Sequence, residues 1–134
     1  MATAVRPLQT AMYAKLTAST TLTDLVTGIY DEVPEGAVLP YVSFGSITES
    51  VDDAHDHQGL DTIVVIHVWS GYPGNAEAAD IFAAVDAALD RVPLVIPGFP
   101  DITIKHDGHQ FLADPDPDIR HVNARYRVWL TSDL

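Results

Sequence analysis

The segment Leu60–Trp69 limits the folds open to this chain more than any other feature. It is rich in β-branched residues, and apolar side chains occupy both of its alternating faces. A strand of this kind is covered on at least one side and lies inside a sheet. We therefore predict a central strand here. One face carries Ile63, Val65, His67 and Trp69, and the other carries Thr62, Val64, Ile66 and Val68.

A second long strand is predicted near the C-terminus, at Ile119–Leu130, because polar and apolar residues alternate along it. Its apolar face consists of Val122, Ala124, Tyr126, Val128 and Leu130. Its other face consists of His121, Asn123, Arg125, Arg127 and Trp129. Alternating arginines on a strand face indicate that this face is solvated or bound by a partner. Trp69 and Trp129 lie near strand ends, where a place in the core and a place in an interface explain them equally well.

Helical spacing of apolar residues predicts one helix over about 6–18 and a second from Asn75 to about Arg91. Shorter strands are predicted at 29–33, 41–47, 102–105 and 110–113, with a turn at 106–109 and a polar connection at Glu49–Gly59. The pattern predicts a single α+β domain over residues 1–134. Its mixed, mostly antiparallel sheet carries two main helices on one face.

Charge is unevenly distributed along the chain. The net charge is −12, and no Lys or Arg occurs between Lys15 and Arg91, whereas Arg120, Arg125 and Arg127 lie close together. The acidity argues against a general nucleic-acid binder, which needs a basic face. The asymmetry permits head-to-tail contacts between identical subunits, and solubility alone explains it as well. Neither a signal peptide nor a membrane-spanning segment is predicted.

Few residues suggest chemistry. The chain has no cysteine, which excludes disulfides and thiolate zinc sites, and none of the common nucleotide-binding or hydrolase motifs occurs. The one candidate metal site is the acidic segment that contains Asp53, His55 and His57, where two imidazoles and a carboxylate lie close in sequence. We interpret this segment as a solvated loop and expect no cofactor and no catalytic residue.

The chain resembles the tail completion (tail terminator, or tail-to-head joining) proteins of long-tailed bacteriophages. The resemblance rests on short motifs in a fixed order. These are the N-terminal helix at Leu8–Leu16, Tyr30-Asp31-Glu32-Val33-Pro34, Leu39-Pro40-Tyr41-Val42, His67-Val68-Trp69-Ser70, Gly74-Asn75-Ala76-Glu77-Ala78, Asp114-Pro115-Asp116, Arg120-His121 and Arg125-Tyr126-Arg127-Val128.

The resemblance implies a structural protein of the virion tail, located at the neck end and assembled in the host cytoplasm. Such proteins form a ring, typically a homohexamer, on the head-proximal end of the tail tube. The ring stops polymerisation of the tube protein and provides the joint to the head–tail connector protein. The resemblance implies no catalytic residue and no membrane partner.

Combining charge with this role gives a hypothesis about the interface. Basic and aromatic residues near the C-terminus, Arg120, Arg125, Arg127 and Trp129, contact acids of the middle segment, Glu49, Asp52, Asp53 and Asp56, in the ring or in a partner. An acidic lumen would repel DNA phosphates, so DNA passes through without specific binding. The alternatives left open are a small metal-dependent enzyme or metal-binding module using His55 and His57, another neck component such as a connector adaptor, and a dimeric binding module.

Overall fold

A computed structural model describes residues 3–53 and 57–132. Within these residues the chain forms three helices and five strands. The helices are α1 (Val5–Ala18), α2 (Thr20–Thr23) and α3 (Ala76–Leu89). The strands are β1 (Ile29–Tyr30), β2 (Tyr41–Val51), β3 (Gly59–Ser70), β4 (Asp101–Ala113) and β5 (Arg120–Thr131).

The strands form one sheet in the order β1-β2-β3-β5-β4. Strand β1 is parallel to β2, and all other neighbours are antiparallel. The central position predicted for Leu60–Trp69 is confirmed, because β3 pairs with β2 on one side and with β5 on the other. In this register Val64 lies opposite Tyr126, and Trp69 lies opposite His121.

The core lies between one face of the sheet and the helices. Every second residue of β5 from Val122 to Leu130 is buried, as the alternation predicts. Hydrogen bonds join the sheet to α3: Tyr126 donates to Asp86 across 2.9 Å, and Ser70 donates to Glu77 across 2.7 Å. The predicted α+β fold with helices on one face of a mostly antiparallel sheet is therefore confirmed. No helix in the described residues is both long and apolar enough to span a membrane.

Two predicted connections differ from the structure. The polar connection predicted at Glu49–Gly59 is too long at both ends, because β2 continues through Val51 and β3 begins at Gly59. A strand that is exposed to solvent on both faces can carry polar side chains on each of them. The sequence of such a strand shows no alternation of apolar residues, and the prediction therefore placed the end of β2 in a loop. The predicted turn at 106–109 is a β-bulge within the continuous strand β4. Gly108 absorbs the irregularity with a φ of 130°.

The boundaries of other elements also differ from the prediction. The strand predicted at 29–33 is limited to Ile29–Tyr30, and the second helix ends at Leu89 rather than Arg91. These differences arise at element ends, where local sequence patterns determine the boundary least.

Candidate subunit interface

The face of the sheet opposite the helices, which we call the open face, carries three of the candidate interface residues, Arg125, Arg127 and Trp129. Its side chains form rows across the strands. One row runs from Tyr41 through Trp69 and His121, and another runs from Thr48 through Ile63 and Arg127 to Lys105. The polar row predicted for β5 is on this face, since its members alternate with the buried residues.

Arg127 is held by an acid of its own chain. Its guanidinium donates to both carboxylate oxygens of Asp61, across 2.9 and 2.6 Å. It also lies 4.7 Å from the centre of the Trp129 ring, within the range of a cation–π contact. The bidentate bond lowers the pKa of Asp61 and raises the pKa of Arg127. Part of the charge asymmetry in the sequence is thus neutralised within one chain.

Arg125 has a different environment from Arg127. Its side chain is exposed on the open face beside Gly108, and a Cβ atom at residue 108 would lie 2.7 Å from the guanidinium. Arg120 bonds locally, donating to the carbonyl oxygen of Pro117 across 2.9 Å. Among the three arginines of β5, Arg125 is therefore the one most available for contact with another protein.

The acidic candidates surround the tip of the β2–β3 hairpin. Glu49 accepts a hydrogen bond from the backbone N–H of Ala4 across 2.9 Å. The backbone N–H of Asp52 donates to Gly59 across 2.9 Å, and the Asp53 carboxylate accepts from the N–H of Gly59 across 3.3 Å. Asp56 lies outside the described residues. The hairpin therefore projects acidic residues from one end of the sheet.

The metal site considered from the sequence involves the same hairpin. His55, one of its three candidate ligands, lies outside the described residues. Within residues 3–53 and 57–132, no three His, Asp or Glu side chains are grouped so that they would hold a metal ion. Asp53, the candidate carboxylate ligand, instead bonds to the backbone of Gly59.

An aromatic and imidazole cluster on the open face was not predicted as a unit. Trp69 stacks on His121 with ring centres 3.8 Å apart and donates to Ser43 across 3.1 Å. The rings of His67 and His121 share a hydrogen bond of 2.6 Å. The sequence predicts His67 as a core or interface histidine, but its partner follows only from the pairing of β3 with β5.

This imidazole pair is expected to make folding sensitive to pH. Burial lowers the pKa of His67 below its ordinary 6.5, and burial together with the neighbouring His67 lowers the pKa of His121. The unfolded chain therefore binds protons more readily near pH 6 than the folded chain does. The free energy of unfolding should decrease as the pH falls from 7.5 to 5.5.

The measurement is urea denaturation at both pH values, for the natural chain and for a His67→Gln, His121→Gln variant. The decrease should be smaller in the variant, because both titrating rings are removed. An equal decrease in both proteins would assign the pH dependence to other groups.

Comparisons with known proteins agree with this architecture. A family model described as tail completion protein gp17 matches residues 10–131. A chain in the virion of a native gene transfer agent particle is similar, with a TM-score of 0.86 and 28% identity over 93% of this chain and 95% of that chain. The gp17 protein of bacteriophage SPP1 is also similar, with a TM-score of 0.62 and 26% identity over 97% of this chain and 91% of that chain. No curated protein matches the chain.

The family model covers all of the elements from within α1 to the end of β5. The matched residues include both the open face and the acidic hairpin. From the motifs, the fold and this match, the chain belongs to the gp17 tail completion protein family of structural phage tail proteins.

Proposed function

We propose that this chain closes the head-proximal end of a tail tube as a homomeric ring, typically a hexamer, and forms the joint to the head–tail connector protein. The observation that carries the proposal is the similarity, along 93% of the chain, to a chain of an assembled virion. Membership of the tail completion family supports the same role.

The surface of the chain suits a ring. Closed rings other than dimers need two unlike patches, because each subunit uses one patch to bind the other patch of its neighbour. Exposed bases lie on β4 and β5, at Lys105 and Arg125, and exposed acids lie at the tip of the β2–β3 hairpin. We propose that Arg120, Arg125 and Trp129 of one copy approach Glu49, Asp52, Asp53 and Asp56 of the next. Arg127 contributes to this contact between copies as part of the surface that it forms with Asp61 and Trp129.

Passage of DNA through the ring is compatible with the charge of the chain. A subunit with a net charge of −12 repels phosphates where its acids line a channel, and this limits adhesion of DNA to the wall. We propose that DNA passes without sequence-specific contacts. The tail tube protein and the connector protein are then the partners that bind the two rims of the ring.

The experiment that tests the proposal is growth of tail tubes from their purified tube protein in the presence of this chain. Tubes should acquire a ring at one end and stop elongating. Tubes that elongate equally with and without the chain would contradict the proposal.

A further inference from the structure

The sheet has one bare segment on each of its two edges, and the two segments match each other. A bare segment is one whose outward backbone N–H and C=O groups have no partner within residues 3–53 and 57–132. Such edges bind further strands readily, and proteins usually cover or interrupt them. In this chain each edge is covered over only part of its length.

Strand β4 is covered near its start. The carbonyl oxygen of Ile104 accepts from the N–H of Arg91 across 3.0 Å, and the N–H of His106 donates to Asp90 across 2.8 Å. These bonds show that residues 104 and 106 direct their backbone groups away from β5. Their partners on β5 are Val128 and Tyr126.

Every second residue of β5 pairs with a residue of β4 whose backbone groups point outward, and this alternation continues beyond the bulge of β4. Ala124, Val122 and Arg120 are the next equivalent positions of β5, and they pair with His109, Phe111 and Ala113. These three residues of β4 therefore direct their backbone groups outward. They form the bare segment of this edge, which we call the β4 edge.

Strand β2 is covered at its start by β1, and the N–H of Val42 donates to the carbonyl oxygen of Gly28 across 3.1 Å. Residue 42 and its equivalent Phe44 therefore face outward. Past the irregularity after Phe44, the equivalent positions of β2 pair with Val64, Thr62 and Leu60 of β3. They are Ile47, Glu49 and Val51, which form the second bare segment, the β2 edge.

The two edges complement each other in length, direction and side chains. Each presents three outward residues. Three successive antiparallel pairings separate β2 from β4, so the two strands run in opposite directions. In a closed ring whose strands are tilted from the axis by roughly 35–45°, as in a barrel, these directions are kept from copy to copy, so neighbouring copies meet antiparallel. Phe111 is 38% exposed and Val51 is 68% exposed, and both lie on the helix side of the sheet.

We infer that the β4 edge of one copy pairs antiparallel with the β2 edge of the next copy, with Phe111 opposite Glu49. This inference rests on the proposed ring and specifies its subunit contact. Phe111 then packs beside Val51 and Ile47 of the neighbour, and backbone hydrogen bonds continue the sheet from one subunit to the next. Because the two patches differ, the contact is head-to-tail and can close into a ring.

The pairing also determines the stagger between copies. Within one chain Ser50 lies in the same row as Thr103, through Asp61 and Trp129. Placing Ser50 opposite Gln110 of the neighbour displaces the copies by about six residues along the strands, a stagger of the kind that closed barrels require. The acidic hairpin tip of one copy, with Asp52 and Asp53, then lies beside Lys105 of the next.

Cysteine cross-linking tests this pairing, because the natural chain has no cysteine. The variant is Ser50→Cys with Gln110→Cys, two exposed residues on the open face. In the inferred register they form a non-hydrogen-bonded pair with Cα atoms about 4.5 Å apart, within the range for a disulfide. Within one chain three strand spacings alone separate β2 from β4 by about 14 Å, and Gln110 also lies farther along its strand than Thr103, so the two cysteines are too far apart for an internal bond.

The variant is oxidised together with the cognate tail tubes, and electron microscopy of the same sample counts the rings. We expect a ladder of covalent oligomers on non-reducing gels. Each single-cysteine variant should stay monomeric, because a head-to-tail contact never brings two copies of one residue together. The matched control, Ser50→Cys with Thr103→Cys, places the second cysteine on the covered part of β4 and should also stay monomeric.

Rings without cross-links in the Ser50→Cys, Gln110→Cys variant would overturn the edge pairing and leave the proposed function standing. Covalent dimers from either single variant would overturn it too, since they would indicate a two-fold contact. Equal cross-linking in the Thr103→Cys control would overturn the register. Cross-linked oligomers without any capped tube would instead support the pairing and count against the proposed function.

Discussion

Substitution of Arg125 by glutamate is expected to abolish ring assembly and leave the fold intact. Arg125 is exposed on the open face, and its charge is one of the few exposed positive charges on β4 and β5. A carboxylate there would face the acidic hairpin of the neighbouring copy, and like charges across an interface cost several kcal/mol. Native mass spectrometry and mass photometry measure the rings, and circular dichroism measures the fold.

Arg6→Glu is a matched control, because Arg6 is an exposed arginine on α1, which packs on the opposite side of the sheet. The net charge changes equally in both variants, so rings should persist in Arg6→Glu. Arg127→Glu should behave differently from both. It places a carboxylate opposite Asp61 within the same chain and should lower the free energy of unfolding. Rings of unchanged stability in Arg125→Glu would refute charge complementarity as the basis of assembly.

Truncation of Tyr126 to alanine is expected to give the largest loss of stability of any substitution considered. Tyr126 is fully buried between β5 and α3, and its hydroxyl donates to Asp86 across 2.9 Å. Removing a large aromatic ring from a core typically costs about 3–5 kcal/mol. Burial and the neighbouring Asp86 also raise the pKa of Tyr126, so the hydroxyl stays a donor over the whole useful pH range.

Tyr126→Phe separates packing from hydrogen bonding, since it keeps the ring and removes only the hydroxyl. Its expected cost is about 1 kcal/mol, the usual net contribution of one hydrogen bond. Urea denaturation followed by circular dichroism measures both variants. If Tyr126→Phe costs as much as Tyr126→Ala, the bond to Asp86 rather than the packed ring dominates at this position.

Side-chain alternation made the main features of the fold predictable. Burial follows the two-residue period of a strand, so the two faces of β3 and β5 could be assigned from residues such as Val64 and Tyr126. The extent of β2 could not be predicted in this way. Its last residues, Glu49 to Val51, are polar or exposed in the structure. The sequence of this part therefore shows no alternation of apolar and polar residues from which a strand could be predicted.

The bulge in β4 was unpredictable for a different reason. A glycine with positive φ occurs in turns and in bulges alike, so Asp107-Gly108 between two histidines favours a turn when only local sequence is considered. The pairing of β4 with β5 on both sides of residue 107 distinguishes the two conformations. That pairing is a property of the whole sheet.

Interactions across the open face depend on register, which the sequence does not specify. Asp61 and Arg127 are 66 residues apart, and their ion pair follows from the alignment of β3 with β5. The stack of Trp69 on His121 has the same origin. The sequence thus identified charged and aromatic interface candidates, whereas the structure distinguishes the exposed Arg125 from the internally paired Arg127.

Growth of tail tubes in the presence of this chain shows whether the chain closes the end of the tube. Purified tube protein is polymerised with increasing amounts of this chain, and electron microscopy records the lengths and the ends of the tubes. We expect a ring at one end of each tube and a mean tube length that decreases as the concentration of this chain increases. Tubes that keep their length and carry no additional density at either end, even with the chain in excess, would contradict this expectation.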